Sequence, residues 1–441
     1  MLTVIGFITI LVIGDSCLSA QLLTLDEAVG LALAHNRDIA SARLEPLKIS
    51  EQRAALRSRR LPAADLFVLG SQTLNPLNFT FSEGLLGVYA GTGPIPATDV
   101  PVKTGPAFTG FYVARLVQPI SPLLRIRQNV RLLDISFEVA REQTRVQEQE
   151  VTSNVSKLYY SLQQAVSSIR ASEEAVALNR ELVRQTDEYL AREAVLKSDQ
   201  LKVRLNLARA EQSANTLKNQ QANAKEQLNQ LLGRDPLTEF TVAPLVEITD
   251  LEEDPVNARK AAVSNRPEVR QAHLKVKLAE QDIVVKKTEY IPQFNAEFDS
   301  LGLANFNRFL PAELSMVGVS LTWDVFDWGR KKHEIAEKEY TAAQARNAAA
   351  EADSSAVVAV DDRLRQLRAS RDHVRVASLA REAAAENLRE LKVRFQIEAS
   401  LVKDVLQAQA GLEQANAEEA QAAVEFWSAK ADFERATGVR Q

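Results

Sequence analysis

Groups able to do chemistry are few in this sequence, and they are scattered. The four histidines, His35, His273, His333 and His373, lie far apart, and the single cysteine is Cys17. No metal cluster, disulfide or thiol–imidazole pair can be assembled from that set, so neither a metal nor another cofactor is expected. Carboxylates are plentiful, with 58 Asp+Glu against 53 Lys+Arg and a net charge of −5. Catalysis would need them to converge with a nucleophile or a second base. They fall instead into two other settings. Asp199 and Asp404 follow turn-like stretches, Arg192–Ser198 and Glu398–Lys403, at the start of helical sequence, where a carboxylate can cap free N–H groups. Glu297, Asp299 and Asp324 occupy alternate positions of short β-like runs, which puts a wet row on one strand face. Neither arrangement breaks a bond, and an enzyme is not expected. The mild acidity also argues against nucleic acid, which needs a basic face.

The elements that carry these carboxylates come in a repeated order. Aromatics are 6% of the chain, with only 16 Gly and 15 Pro, which is poor material for an all-β protein and good material for long helices. Helical pattern runs from Thr24 to Arg60, opening on the capping box Thr24-Leu-Asp-Glu27 and closing before Pro62. Two β-like runs, Asp65–Gln72 and Phe108–Gln118, flank a loop of Asn, Gly, Pro and Thr. Helix then returns after Pro122 and continues almost to Leu232, where Gly233-Arg-Asp-Pro236 stops it. Within it Val151, Val155, Leu158, Leu162, Ala165 and Ile169 form a heptad seam.

The second half says the same again. Helix from about Pro255 to Tyr290 yields at Pro292 to the runs Phe294–Ser300 and Ser315–Val325, followed by helix from Trp328 to Ala436 and the stop Thr437-Gly438. Asn265-Arg266 matches Asn36-Arg37, and Ala261 matches Ala32. The expected organisation is a first repeat over 21–233 with its hairpin at about 62–119, a connector over 234–254, and a second repeat over 255–441 with its hairpin at about 292–326. A single helix of more than about 100 residues would exceed about 150 Å. Each long segment should therefore fold back at Arg192–Ser198 and Glu398–Lys403 into antiparallel coiled-coil rods.

The hairpins suggest an environment. Val317, Val319, Leu321, Trp323 and Val325 alternate with Met316, Gly318, Ser320, Thr322 and Asp324, as expected of a membrane strand with a lipid face and a wet lumen. A sheet packed on soluble helices would alternate in the same way. Four strands cannot close a barrel, so a membrane reading requires several chains to pool their strands. Residues 1–20 agree with export: Met1–Ile13 is nearly continuous apolar sequence followed by small residues to Ala20, like a signal peptide. Cys17 is a candidate lipidation site, although Gly14 departs from the Leu-like residue preferred there. Removing the signal leaves a cysteine-free chain, which suits an oxidising compartment.

The mature chain resembles the TolC-like outer-membrane efflux proteins. The resemblance rests on the duplicated plan, on Leu23-Thr-Leu-Asp-Glu-Ala28 with Ala34-His-Asn-Arg37, and on Asn265-Arg-Pro-Glu-Val269. Val117-Gln-Pro-Ile120, Trp323-Asp-Val-Phe-Asp-Trp-Gly329, Asp404-Val-Leu406 and Ala436-Thr-Gly438 complete it. It implies a fold that is mainly α with membrane β: a homotrimer in a Gram-negative outer membrane, with one twelve-stranded barrel and a helical tunnel through the periplasm. It also implies a periplasmic adaptor (membrane fusion) protein and an inner-membrane transporter as partners, with substrates passing chemically unchanged in efflux or type I secretion. The alternative is an extracytoplasmic coiled-coil scaffold without channel activity.

At the tunnel entrance the resemblance implies an aspartate ring, often with a second acid three residues on. Asp404 occupies the first place and Gln407 the second, with Asp199 as the counterpart in the first repeat. Three Asp404 copies would favour cations at the constriction; capping accounts for both aspartates as well. Relatives often carry glycine six residues before each Asp, where Glu193 and Glu398 stand here. Phe395 and Ser400 replace a Tyr and an Arg that help close the tip in some relatives.

Overall fold

The computed structural model describes residues 21–72, 74, 78–103, 108–193, 195–243, 254–304, 312–397 and 399–438. The expected signal peptide at 1–20 with Cys17, residues 244–253 of the expected connector, and Glu398 lie outside the described residues. In chain order the first half holds β1 (Gln21–Leu23), α1 (Leu25–His35), α2 (Arg37–Ser58), β2 (Ala63–Gln72), β3 (Asn78–Phe81), β4 (Val88–Tyr89), β5 (Gly93–Pro94), β6 (Val100–Lys103), β7 (Phe108–Pro119), α3 (Pro122–Ala191) and α4 (Lys197–Leu231). After β8 (Phe240–Val242) come α5 (Pro255–Asn265), α6 (Pro267–Lys287), β9 (Gln293–Ala304), β10 (Glu313–Thr322), α7 (Arg330–Gln396) and α8 (Val402–Thr437). Contacts divide the chain into two units: Met1–Pro46 with Val139–His273 and Asn347–Gln441, and Leu47–Glu138 with Leu274–Arg346.

The first unit is helical. Thr24 opens α1 with the expected capping box: its Oγ1 accepts from the Glu27 N–H at 3.3 Å, and Glu27 accepts from the Thr24 N–H at 3.0 Å. The single helix expected over Thr24–Arg60 is broken at Asn36. There the backbone turns extended, and the Asn36 Oδ1 caps the N–H groups of Asp38 (2.9 Å) and Ile39 (3.1 Å). The second repeat breaks likewise at Arg266.

The equivalence of the two breaks also corrects the alignment of the repeats. Buried Ala28, Ala32 and Ile39 correspond to buried Ala258, Ala262 and Val269, and the closing N–H bonds run Asn36 to Ala32 and Arg266 to Ala262. Asn36 is therefore the counterpart of Arg266, one residue beyond the Asn–Asn match in the sequence; burial fixes the register, whereas a repeated letter need not. The two stop glycines are explained at the same place. Gly233 and Gly438 both have φ of 70°, and a Cβ on Gly233 would lie 2.2 Å from the His35 carbonyl oxygen, on Gly438 2.8 Å from the Arg266 nitrogen.

Three apolar clusters hold this unit. In the first, Val151, Val155 and Leu162 of the heptad seam pack with Ala32, Ile39, Leu228 and Phe240. Tyr159, outside the expected seam, is 1% exposed and donates to the Leu23 carbonyl at 2.8 Å. It thereby fastens β1, which pairs in parallel with β8, a small sheet absent from the sequence expectation. The second cluster joins Ala262, Val360, Leu364 and Phe426, and the third lies at the helix turns.

The second unit carries a four-stranded antiparallel sheet in the order β10-β9-β7-β2. Strand β10 stops at Thr322, short of the expected Val325. Thr322 pairs with Gln293, and the next partner would be Pro292, which has no N–H to offer. The stretch expected as plain loop between β2 and β7 contains two small antiparallel pairs, β3 with β6 and β4 with β5.

Candidate functional site

Ladder register assigns the faces of the sheet, because directly opposed residues project to the same side. Val317, Val319 and Leu321 of β10 oppose Phe298, Ala296 and Phe294 of β9. Leu116 and Tyr112 of β7 continue that face opposite Phe298 and Gly302, and Leu66 and Val68 of β2 complete it. Around Phe294–Phe298 the face is apolar and bare, with Val317 84% exposed and Val319 69%; Ser300, Ser315 and Glu313 continue it at the far end. Exposed apolar patches of this extent mark an interaction or membrane surface. Trp323 and Val325 are exposed too, but they lie past the end of β10. Phe326 and Trp328 follow, with ring centroids 4.6 Å apart, and put an aromatic group beside the strand end.

The opposite face bears Glu297 and Asp299, as the alternation predicts, and further along the strands an apolar row of Phe67, Val113, Leu301 and Leu314. The sequence reading missed their partner. Arg115 of β7 lies directly across from Asp299, with Nε 3.1 Å from Asp299 and an Nη 3.2 Å from Glu297. Glu297 also accepts from the Ser320 hydroxyl at 2.5 Å. The only signal for Arg115 was a cation within a β-like run, and pairing across strands cannot be read from either strand alone. Asp324 does not join this face. It sits beyond β10, with its carboxylate 3.6 Å from both Arg330 and Lys331 at the start of α7. The two hairpins are tied by Ser121, which donates to the Pro292 carbonyl at 2.6 Å and accepts from the Phe294 N–H at 2.8 Å.

In the first unit, the third cluster brings both helix turns together. Leu182 and Val203 from the first repeat pack with Leu388, Phe395, Val405 and Ala408 from the second, and Tyr189 meets Phe395 edge-on at 5.7 Å. Capping is distributed otherwise than the sequence suggested. Asp404 accepts from the Leu401 N–H at 3.2 Å and so caps α8 from within its first turn. Asp199 makes no such bond; its carboxylate is 3.1 Å from the Lys202 ammonium, because the lysine one turn on competes for it. Gln407 is exposed one turn beyond Asp404. The first turn also has a brace that the sequence did not announce. Asp187 accepts from Gln200 at 2.6 Å and from Arg204 at 3.2 Å, and these bonds hold its carboxyl below the usual carboxylate range, the Gln200 bond most.

Among the described residues no group of three or more His, Cys, Asp and Glu side chains could hold a metal ion, and no helix is long and apolar enough to cross a membrane. The latter says nothing of a β-barrel.

Residues 258–439 match the family model described as outer membrane efflux protein. The second half of the chain is thus similar to that family. Its fold is likewise that of solved outer-membrane channels. The Campylobacter jejuni CmeC channel is 18% identical with a TM-score of 0.75, covering 94% of this chain and 85% of that one. The Vibrio cholerae VceC protein is 14% identical with a TM-score of 0.74, covering 94% and 96%. The Neisseria gonorrhoeae MtrE channel, described in its open state, is 16% identical with a TM-score of 0.71, covering 94% and 88%. No curated protein sequence matches.

Within this fold, the departures at the turns acquire a structural meaning. Glu193 has φ of 59°, the left-handed region that glycine favours, so the residue common among relatives is the unstrained one. Phe395 is buried against Tyr189, and the Ser400 hydroxyl donates to the Leu391 carbonyl at 3.2 Å. Both serve packing and turn closure within this chain.

Proposed function

We propose that this protein is the outer-membrane channel of a tripartite efflux or type I secretion machine, a passive exit duct fed by an inner-membrane transporter through a periplasmic adaptor. The observation that carries the reading is the sheet: one face with a bare apolar stretch at Val317, Val319 and Leu321, the other with the charged cluster Arg115, Glu297 and Asp299, and β2 and β10 each paired on one side only among the described residues. An open edge cannot sit in lipid, so the strands must be completed by other chains. Three copies of a four-stranded sheet give one twelve-stranded barrel in a homotrimer. Val317, Val319 and Leu321 then face outer-membrane lipid, with Trp323, Phe326 and Trp328 near the interface, while Glu297 and Asp299 line a wet lumen.

The helical unit extends into the periplasm and carries the entrance at its turns, with Asp404 and Gln407 near the opening. A wide, water-filled pore discriminates little, so substrate choice rests with the transporter. A coiled-coil scaffold would account for the long helices but leaves the bare apolar sheet without a purpose. Imaging of detergent-purified particles tests the reading: threefold hollow particles are expected, and folded monomers with their full β content in aqueous buffer would refute it.

A further inference from the structure

The corrected register leaves one position unbalanced. In the first repeat the Asn36 carboxamide caps α2. Its counterpart, Arg266, has no acceptor to offer; the carboxylate in the first turn of α6 is that of Glu268, which lies 3.6 Å from the Arg266 Nε. The free N–H groups of a helix N-terminus favour an anion. This one, at Pro267, borders a cavity of about 530 Å³ within the helical unit.

The lining has the same preference. Arg43, Arg145, Arg270 and Arg435 reach it from α2, α3, α6 and α8, against the single carboxylate of Glu148. Arg43 is held by Glu148 at 2.8 Å and Arg145 by Glu142 at 2.6 Å. Arg435 is only loosely paired, 4.0 Å from Glu150, and Arg270 donates its Nε to the Ser264 carbonyl at 2.9 Å with no carboxylate partner among the described residues. Ser153 supplies an independent sign. It lines the cavity at 3% exposure, and its hydroxyl has no hydrogen-bond partner. Buried polar groups are rarely left so, and an orphan hydroxyl in a cationic pocket calls for an acceptor. The Gln149 carboxamide beside it, whose Oε1 is also buried and unpaired, can present its NH2 by a half-turn of the amide.

We propose that this cavity binds a small organic oxyanion, phosphorylated or carboxylated and carrying at least two negative charges, through Arg270, Arg435, the Ser153 hydroxyl and the start of α6. The guanidiniums take the charge in paired N–H bonds, and Ser153 fixes the orientation. The volume lies in the range of small-ligand pockets, about 300–1,000 Å³, and exceeds what a bare inorganic ion fills.

The test is binding rather than transport, so its outcome is separate from that of the channel reading. Full-length protein in detergent is titrated with inorganic phosphate and with citrate, against chloride at equal ionic strength, by calorimetry and thermal shift. Saturable stabilisation by either oxyanion is expected, and which one prevails assigns phosphoryl or carboxylate chemistry. Arg270→Gln should weaken binding about tenfold or more. Ser153→Ala should weaken it severalfold while leaving the anion-free melting temperature unchanged or slightly higher, since the hydroxyl has no partner without ligand. Should Arg270→Gln not fold, Ser153→Ala decides. Oxyanions that do no more than chloride, or that act equally on wild type and Ser153→Ala, overturn the proposal.

Discussion

Replacing Val317 with arginine is the sharpest probe of the sheet. Val317 is 84% exposed, lies mid-strand opposite Phe298, and belongs to the bare apolar face. A cation near the midplane of an outer-membrane barrel costs about 2–4 kcal/mol. At about 1.36 kcal/mol per tenfold, that is roughly a 30- to 1,000-fold shift for each chain. Three copies in one barrel raise it to about 6–12 kcal/mol, comparable with the whole stability of many domains. The control is the next residue. Gly318 projects to the other face opposite Glu297, and an added Cβ there would meet nothing within 4 Å. Gly318→Arg should therefore be tolerated, with its guanidinium in the wet lumen near a carboxylate. The assay is the heat-resistant trimer fraction after extraction from the outer membrane, with conductance of reconstituted channels as a second readout. Val317→Arg should abolish the trimer, and Gly318→Arg should keep it while altering current. Equal loss in both variants, or the reverse order, would refute the face assignment and the membrane reading built on it.

Three further outcomes are expected. Glu193→Gly should stabilise the helix turn: relief of a left-handed residue gains about 1–2 kcal/mol and glycine's extra chain entropy returns about 0.5–1 kcal/mol, so a modest rise in melting temperature is the result and a fall contradicts it. The Asp187 carboxyl is held below its usual value, so its contribution is fully present above about pH 4 and is lost as pH falls through its lower folded value. Protection of the α3–α4 turn against hydrogen exchange, corrected for the intrinsic rate at each pH, should thus be unchanged between pH 7 and 5 and lower at pH 3, and Asp187→Asn should remove that dependence. Asp404→Asn keeps an acceptor for the Leu401 N–H and removes only the charge, so reconstituted channels should lose cation selectivity without loss of trimer. Asp199→Asn should leave selectivity nearly unchanged because Lys202 already partners that carboxylate; identical selectivity in wild type and Asp404→Asn would exclude an entrance ring.

Much of the fold was written locally. The capping box at Thr24, the prolines at the ends of helical pattern, the stop glycines and the two alternating hairpins each act within a few residues, so periodicity and turn chemistry expose them. The resemblance to the efflux family added their order, and the polar placement of Glu297 and Asp299 followed from the strand period alone. What the sequence could not carry was anything that depends on a partner far along the chain. Strand β10 stops at Thr322 because Pro292 lies opposite, and Asp324 consequently leaves the polar face for Arg330 and Lys331. Arg115 joins Glu297 and Asp299 only through the β7–β9 register, and Tyr159 is buried only because β1 and β8 meet beside it. The repeat was visible as Asn-Arg twice, but its true phase was set by which alanines enter the core, since burial depends on the surface a helix meets. Only packing, too, could set the start of α6, with its own Arg270, beside Arg435 and the orphan hydroxyl of Ser153, which are distant in sequence and adjacent in the folded chain.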